Sequence, residues 1–261
     1  SRTRQPLLDL TLFTRLGFSG PVLVLVLAQF GLAGLMFVVP LYLQGVLDLA
    51  PLGAGLRMLP LALGVLIGSL SASRLTTRFG ARLTVGTGLV TTALALGMLA
   101  GLTPHTGVPH LASGLLLGGL GMGLVTATLT GIALAAVAAD IAGVGSAASS
   151  TVAEVGGALG VAVVGSVVSA RYIDLLPATV GQLPAAQAAA VRGSVTRAAQ
   201  AAQALGPGAR KAFGDAARLA FTTGMRPVLL ICAVIALAAA AVCWWTIPGR
   251  AGAAADGHLD T

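Results

Sequence analysis

Charge is the scarcest property of this 261-residue sequence: 9% of its residues are Asp, Glu, Lys or Arg, against about 25% in an average soluble domain. With 56% hydrophobic residues and a mean hydropathy of +0.95, no soluble fold of this size could hide so much apolar surface. Cysteine is almost missing. Cys232 and Cys243 fall on one expected helix with a rise of ~16 Å between them, too far for a disulfide, so both are expected to be free. The patterns of common catalytic chemistry are also missing, with no HExxH, GxSxG, GxxxxGK[ST] or CxxC. The histidines are only His105, His110 and His258. Two ligands in one short loop make no metal site, and a Ser113/His hydrolase lacks a His on a facing helix. No enzyme, metal or organic cofactor is expected. The net charge of +7 does not imply nucleic acid as a partner, because the basic residues lie between apolar runs, where lipid headgroups are nearer.

What the sequence does contain is apolar runs near 20 residues long, each able to cross a ~30 Å hydrocarbon layer at ~1.5 Å per residue. Six spans are expected, at roughly 20–43, 52–73, 83–102, 110–137, 145–169 and 226–247, bounded by charge, Pro or Gly. The fold class is therefore an all-α membrane protein with the lipid bilayer as its surroundings. Residues 1–19 are expected to be a cytoplasmic linker and 248–261 a cytoplasmic tail. Arg2, Arg4 and Arg15 precede the first span, and Arg74, Arg78 and Arg82 fill the second connection, whereas the first and third connections carry no Lys or Arg. By the positive-inside rule both termini are cytoplasmic. Segment 171–225 then lies outside despite Arg171, Arg192, Arg197, Arg210, Lys211 and Arg218, since the rule weakens for loops near 60 residues. Helical spacing at Val191, Val195, Ala198, Ala202 and Leu205, then Gly206-Pro207-Gly208, then Ala209–Phe221 suggests a helical hairpin there. A surface-amphipathic helix or a loose linker are the alternatives. Trp244 and Trp245 close the sixth span as an aromatic belt.

Glu154 is the one acidic residue inside these apolar runs. An acid surrounded by hydrocarbon is costly unless it takes up a proton or a cation, so it marks a coupling or cation-recognition site. A structural hydrogen bond, or a place near the water line, are the plain alternatives. Arg57 enters from the opposite end and is not expected to pair with it. Small-xxx-small pairs at Gly64/Gly68, Gly119/Gly123 and Gly156/Gly160 allow close helix packing. Ala62-Leu63-Gly64-Val65 in the second span echoes Ala158-Leu159-Gly160-Val161 in the fifth, and these run in opposite directions, as in a 3+3 inverted repeat.

The connection Arg74-Leu75-Thr76-Thr77-Arg78-Phe79-Gly80-Ala81-Arg82 resembles the basic loop signature between the second and third helices of each half of a major facilitator transporter. Pro6-Leu7-Leu8-Asp9-Leu10, Pro40-Leu41-Tyr42-Leu43-Gln44, Ala54-Gly55-Leu56-Arg57 with Leu59-Pro60, and Gly143 through Ser166 are similar to the second half of the fourteen-helix drug:proton antiporter branch. The resemblance implies the C-terminal half of such a permease, whose partner is a missing N-terminal half and which exchanges protons for a small lipophilic or cationic substrate by alternating access. The proton is then the coupling ion. It implies a gating role for Arg74, Arg78, Gly80 and Arg82. Candidate cavity contacts are Gln29, Met36 and Phe37 on the first span and Thr126 and Thr130 on the fourth. Two positions depart from the pattern: Thr77 stands where the loop signature has an acid, and Ser150 where the fifth span often carries a first acid before Glu154. A metabolite exporter or uptake carrier of the same fold, and a non-transporting membrane module, are the competing readings.

Overall fold

A computed structural model describes residues 16–135, 142–176, 191 and 207–247. Among these, α1 (Leu16–Leu41) continues into a π-helical turn (Tyr42–Val46), followed by α2 (Pro51–Arg57), α3 (Leu59–Phe79), α4 (Ala81–Ala100), α5 (Val108–Ala135), α6 (Ala142–Asp174) and α7 (Pro207–Thr246). Six helical segments are long and apolar enough to cross a membrane. Helix is the local outcome because a hydrocarbon solvent offers backbone groups no partner, so each N–H and C=O must be satisfied within its own segment.

Prolines and glycines punctuate the helices where their chemistry demands it. Pro51 opens α2 and Pro60 sits in the first turn of α3, positions where a missing N–H costs nothing. Pro40 removes a donor inside α1, and the chain widens beyond it, with Leu47 donating to the Tyr42 carbonyl at 3.1 Å. Gly80 alone joins α3 to α4, with φ 90° and ψ 158°, a backbone region essentially restricted to glycine.

The helices pack as two interlocked triplets. α3 lies along α5 as α6 lies along α1; α4 packs on α5 as α7 packs on α1; and α4 meets α7. Exchanging α1, α3 and α4 for α5, α6 and α7 reproduces the pattern, so the bundle is a 3+3 inverted repeat. Gly64 and Gly160, matched in the sequence echo, have matched roles. A methyl added at Gly64 would meet the Leu116 carbonyl, and one at Gly160 the Phe30 carbonyl.

The bundle is inside-out by the standard of a soluble protein. The inward stripe of α3 is Leu61, Gly64, Gly68 and Ala72, while Leu63, Leu66, Ile67 and Leu70 point away from the bundle. In lipid, outward Leu and Ile are solvated by tails, and small residues let backbones approach. A four-helix core of Val24, Ala28, Val85, Leu89, Val125, Leu129, Ala239 and Cys243 joins α1, α4, α5 and α7. Both cysteines are buried and free.

The last helix departs from expectation. It starts at Pro207, not at 226, and its 40 residues extend ~60 Å, twice the hydrocarbon thickness. The stretch 209–221 is thus the first half of this continuous helix and not a separate arm. The first arm, 187–205, lies outside the described residues apart from Val191, as do 1–15 and 248–261. Arg226-Pro227 was expected to mark a boundary. Proline forfeits one hydrogen bond, here to the carbonyl of Thr223, and neighbours that remain packed carry the helix through.

Candidate functional site

Contacts at glycines set the axial register of the bundle. Gly156 faces Val26, Gly160 faces Phe30 and Gly34 faces Val164, so α1 and α6 run parallel. Glu154 is therefore level with Val24, about one turn or ~6 Å beyond Gly20. Gly20 itself abuts Thr246, the last residue of α7. This end, with Gly20, Gly80 and Thr246, is the arginine end; Tyr42, Thr103 and Tyr172 mark the tyrosine end.

Glu154, the chain's only glutamate, is exposed on α6, off the stripe of Ala153, Gly156 and Gly160 that packs on α1. It forms no ion pair with another described residue. Ser150 lies one turn earlier on the same face, also exposed. Along α5, Leu35 of α1 meets Gly118, and these two helices run antiparallel. By that register Thr130 is level with residue 23 and so with Glu154, while Thr126 is level with residue 27, close to Gln29. Thr130 is exposed and Thr126 half-buried, its hydroxyl donating to the Met122 carbonyl at 2.8 Å. The Gln29 side-chain oxygen is buried and has no hydrogen-bond partner among the described residues. Burying an unpaired amide oxygen costs about 1–3 kcal/mol, so this group awaits a donor.

The residues expected to line a cavity fall at two axial levels. Gln29 and Thr126 share one level, and Thr130 and Glu154 share another one turn nearer the arginine end. Met36 lies farther along α1, half-buried. Phe37 is turned toward α6, with its ring edge against Gly165. Along the bundle axis the acid and a threonine hydroxyl lie nearest the arginine end, an amide and a second threonine one turn deeper, and apolar side chains beyond. This arrangement can hold a proton or a cation at the carboxylate and accept an apolar body above it. Arg57 lies near Tyr42, at the other end. By the α1 register that is ~27 Å from the level of Glu154, so the two do not pair.

The arginine loop divides into two parts. Arg74 and Arg78 are exposed, Arg78 lying over the Phe79 ring at 5.3 Å. Arg82 turns toward α7, its guanidinium 3.8 Å from the ring centroid of Trp244. Thr77, at the place of the signature acid, donates to the Arg74 carbonyl at 2.9 Å. Its hydroxyl closes its own helix and carries no charge across to a neighbour. Three features escaped the sequence. The Arg82–Trp244 stack joins residues far apart in the chain, and its only signal was a basic loop and a Trp pair expected at the same interface. The π-helical turn had only Pro40 as a sign. At the tyrosine end Arg218 lies 4.0 Å from Asp48 and 3.9 Å from Asp215, which offsets part of the basic charge of segment 171–225.

A family model described as Major Facilitator Superfamily matches residues 2–161, more than half of the chain. The chain belongs to the major facilitator superfamily. Among similar proteins of this superfamily, the "Multidrug efflux pump LfrA" of Mycolicibacterium smegmatis is 33% identical over 93% of this chain and 48% of its own length. The "Tetracenomycin C resistance and export protein" of Streptomyces glaucescens is 28% identical over 94% and 47%. The "Puromycin resistance protein pur8" of Streptomyces alboniger is 37% identical over 64% and 34%. The chain spans about half the length of the first two relatives. A multi-pass membrane protein with six helices in a 3+3 inverted repeat is half of a major facilitator fold.

Proposed function

We propose that this chain is the C-terminal half of a proton-coupled efflux permease of the fourteen-helix branch, in a bacterial plasma membrane with both termini in the cytoplasm. One observation carries the reading: Glu154 stands on the open side of α6, level with Thr130 and one turn short of the level of Gln29 and Thr126. A missing N-terminal half would close over these residues and turn them into the wall of a central cavity. Names of relatives that speak of multidrug efflux, export and resistance support outward movement of a lipophilic or cationic small molecule. The proposed mechanism is alternating access. The half rocks against its partner, and a proton arriving at Glu154 displaces the cation or resets the empty carrier. The arginine end faces the cytoplasm, where Arg74 and Arg78 meet anionic headgroups.

Transport is tested in everted vesicles containing the full-length permease. A proton gradient, acid inside, should drive uptake of a fluorescent lipophilic cation, and an uncoupler should abolish it; uptake indifferent to the gradient contradicts proton coupling. Orientation is tested by His105→Cys in a background with Cys232 and Cys243 replaced by Ala. His105 is exposed in the connection between α4 and α5. An impermeant maleimide should label intact cells, and labelling only after permeabilisation reverses the topology.

A further inference from the structure

On the side of the bundle away from the half-buried stripe of Gln29 and Thr126, α4 and α7 leave a groove between them. α1 and α5 turn their buried stripes toward these two helices, so the groove lies on the outer wall, where lipid is the neighbour. The cavity measures about 370 Å³ and runs from Arg82 and Trp244 past Gly86 and Ala240 to Val90. From Arg82 to Val90 the rise along α4 is ~12 Å.

Its wall is chemically two-part. Thr87 and Thr91 also line it, but their hydroxyls donate to the Leu83 and Thr87 carbonyls, each at 2.8 Å, and are engaged within their own helix. A methyl added at Gly86 would meet nothing within 4 Å, so the groove is open at its floor. The charged part is at the mouth. Arg82 lies against the Trp244 ring at 3.8 Å, a cation–π contact that fixes the guanidinium plane. Its Nε is buried and has no hydrogen-bond partner among the described residues. The guanidinium forms no ion pair with a described carboxylate, and its planar cation matches phosphate in shape and charge. In a membrane-spanning surface, apolar length below and cation at the interface are complementary to one kind of molecule.

We propose that the groove between α4 and α7 is a binding site for an anionic phospholipid, its phosphate on Arg82 and one acyl chain lying along Gly86, Val90 and Ala240. Trp244 is the floor of the headgroup site and also its reporter, being one of only two tryptophans in the chain. The site is separate from the proposed transport face. Lipid binding is measured without transport, so failure of either proposal leaves the other standing.

The experiment uses the full-length protein with Trp245 and every tryptophan outside this chain replaced by Phe, in nanodiscs of phosphatidylcholine. Phosphatidylglycerol with dibrominated acyl chains is compared with equally brominated phosphatidylcholine as a quencher of Trp244. The anionic lipid should reach the same quenching at a roughly fivefold lower mole fraction, the factor expected from one basic side chain near an anionic headgroup. Arg82→Gln should bring the ratio to about one. Gly86→Leu, whose side chain enters open space, should do the same with an unchanged melting profile. If Arg82→Gln fails to fold, Arg82→Lys takes its place and should lower the ratio, because it keeps the charge and loses the planar stack. Inorganic phosphate at matched ionic strength should leave the quenching in place, since half of the site is apolar. Equal quenching by the two lipids overturns the proposal. So does a preference unchanged by these substitutions, or displacement by phosphate alone.

Discussion

The seam between α3 and α5 and the seam between α6 and α1 are equivalents in the inverted repeat, yet they are built differently. In the first, glycines stand on both sides. Methyls added at Gly64 and Gly68 would meet the carbonyls of Leu116 and Leu120, and those added at Gly119 and Gly123 would meet the carbonyls of Leu61 and Val65. Backbone lies on backbone along two turns, and Thr76 reaches Thr128 at 3.5 Å near the arginine end. In the second, Gly156 and Gly160 of α6 face Val26 and Phe30, and farther along Gly34 faces Val164 and Gly165 faces Phe37. At Gly156 and Gly160 only α6 supplies a glycine, and it meets the backbone of Val26 and Phe30; at Gly34 and Gly165 a side chain fills the space. Association in lipid depends on packing contact and not on expulsion of water, so the doubly glycine-lined seam is the more rigid one. The second seam can re-pack through rotamer changes where Val164 and Phe37 fill it, about ten residues farther along the helix pair from Glu154. The difference ranks the two seams: α3–α5 is glycine-lined from both sides, whereas α1–α6, whose second helix bears the acid, is lined by glycine from one side at each contact and by side chains at its far end.

Alanine substitution at equivalent depth sharpens or breaks this comparison. Gly119→Ala should have the largest effect, because the new methyl is driven into the Leu61 carbonyl and neither backbone can give way. Overpacking of this kind costs about 1–3 kcal/mol or more, and the melting midpoint of the purified protein should fall clearly. Gly160→Ala should fall less, since its methyl also meets a carbonyl, that of Phe30, but at 2.6 Å, a less severe overlap than at Gly119. Gly165→Ala should be close to neutral. Its methyl meets only the edge of the Phe37 ring, which can turn, and alanine in place of glycine returns up to ~1 kcal/mol of helix propensity. If Gly160→Ala proves more damaging than Gly119→Ala, the ranking of the two seams is reversed. A disulfide is not needed for the contrast; thermal midpoints of the three variants in one detergent suffice.

Much of this was legible in the sequence for physical reasons that can be named. The six spans follow from apolar runs of the right length, and the repeat from a short echo whose glycines prove to occupy matched contacts. Free cysteines followed from the helical rise between Cys232 and Cys243. The start of α7 was not legible, because Arg226-Pro227 resembles a boundary, and only packing decides whether a helix survives the loss of one hydrogen bond. Glu154 stood out as a lone acid, but its level did not. That level depends on which α1 residue Gly156 meets, a tertiary fact. The partner of Arg82 was hidden for the same reason, while the unpartnered oxygen of Gln29 gave no signal beyond a polar residue in an apolar run.

The central claim is that Glu154, exposed on α6 beside its seam with α1, carries the proton. It is tested most directly by Glu154→Gln in the full-length permease. Gln keeps the volume and hydrogen-bonding capacity but cannot titrate. Gradient-driven transport of a fluorescent lipophilic cation in everted vesicles should be lost across a pH series, with membrane abundance unchanged, and Glu154→Asp should retain part of it. A Gln variant that keeps the original rate and the original pH dependence would contradict the account and leave Glu154 a structural residue.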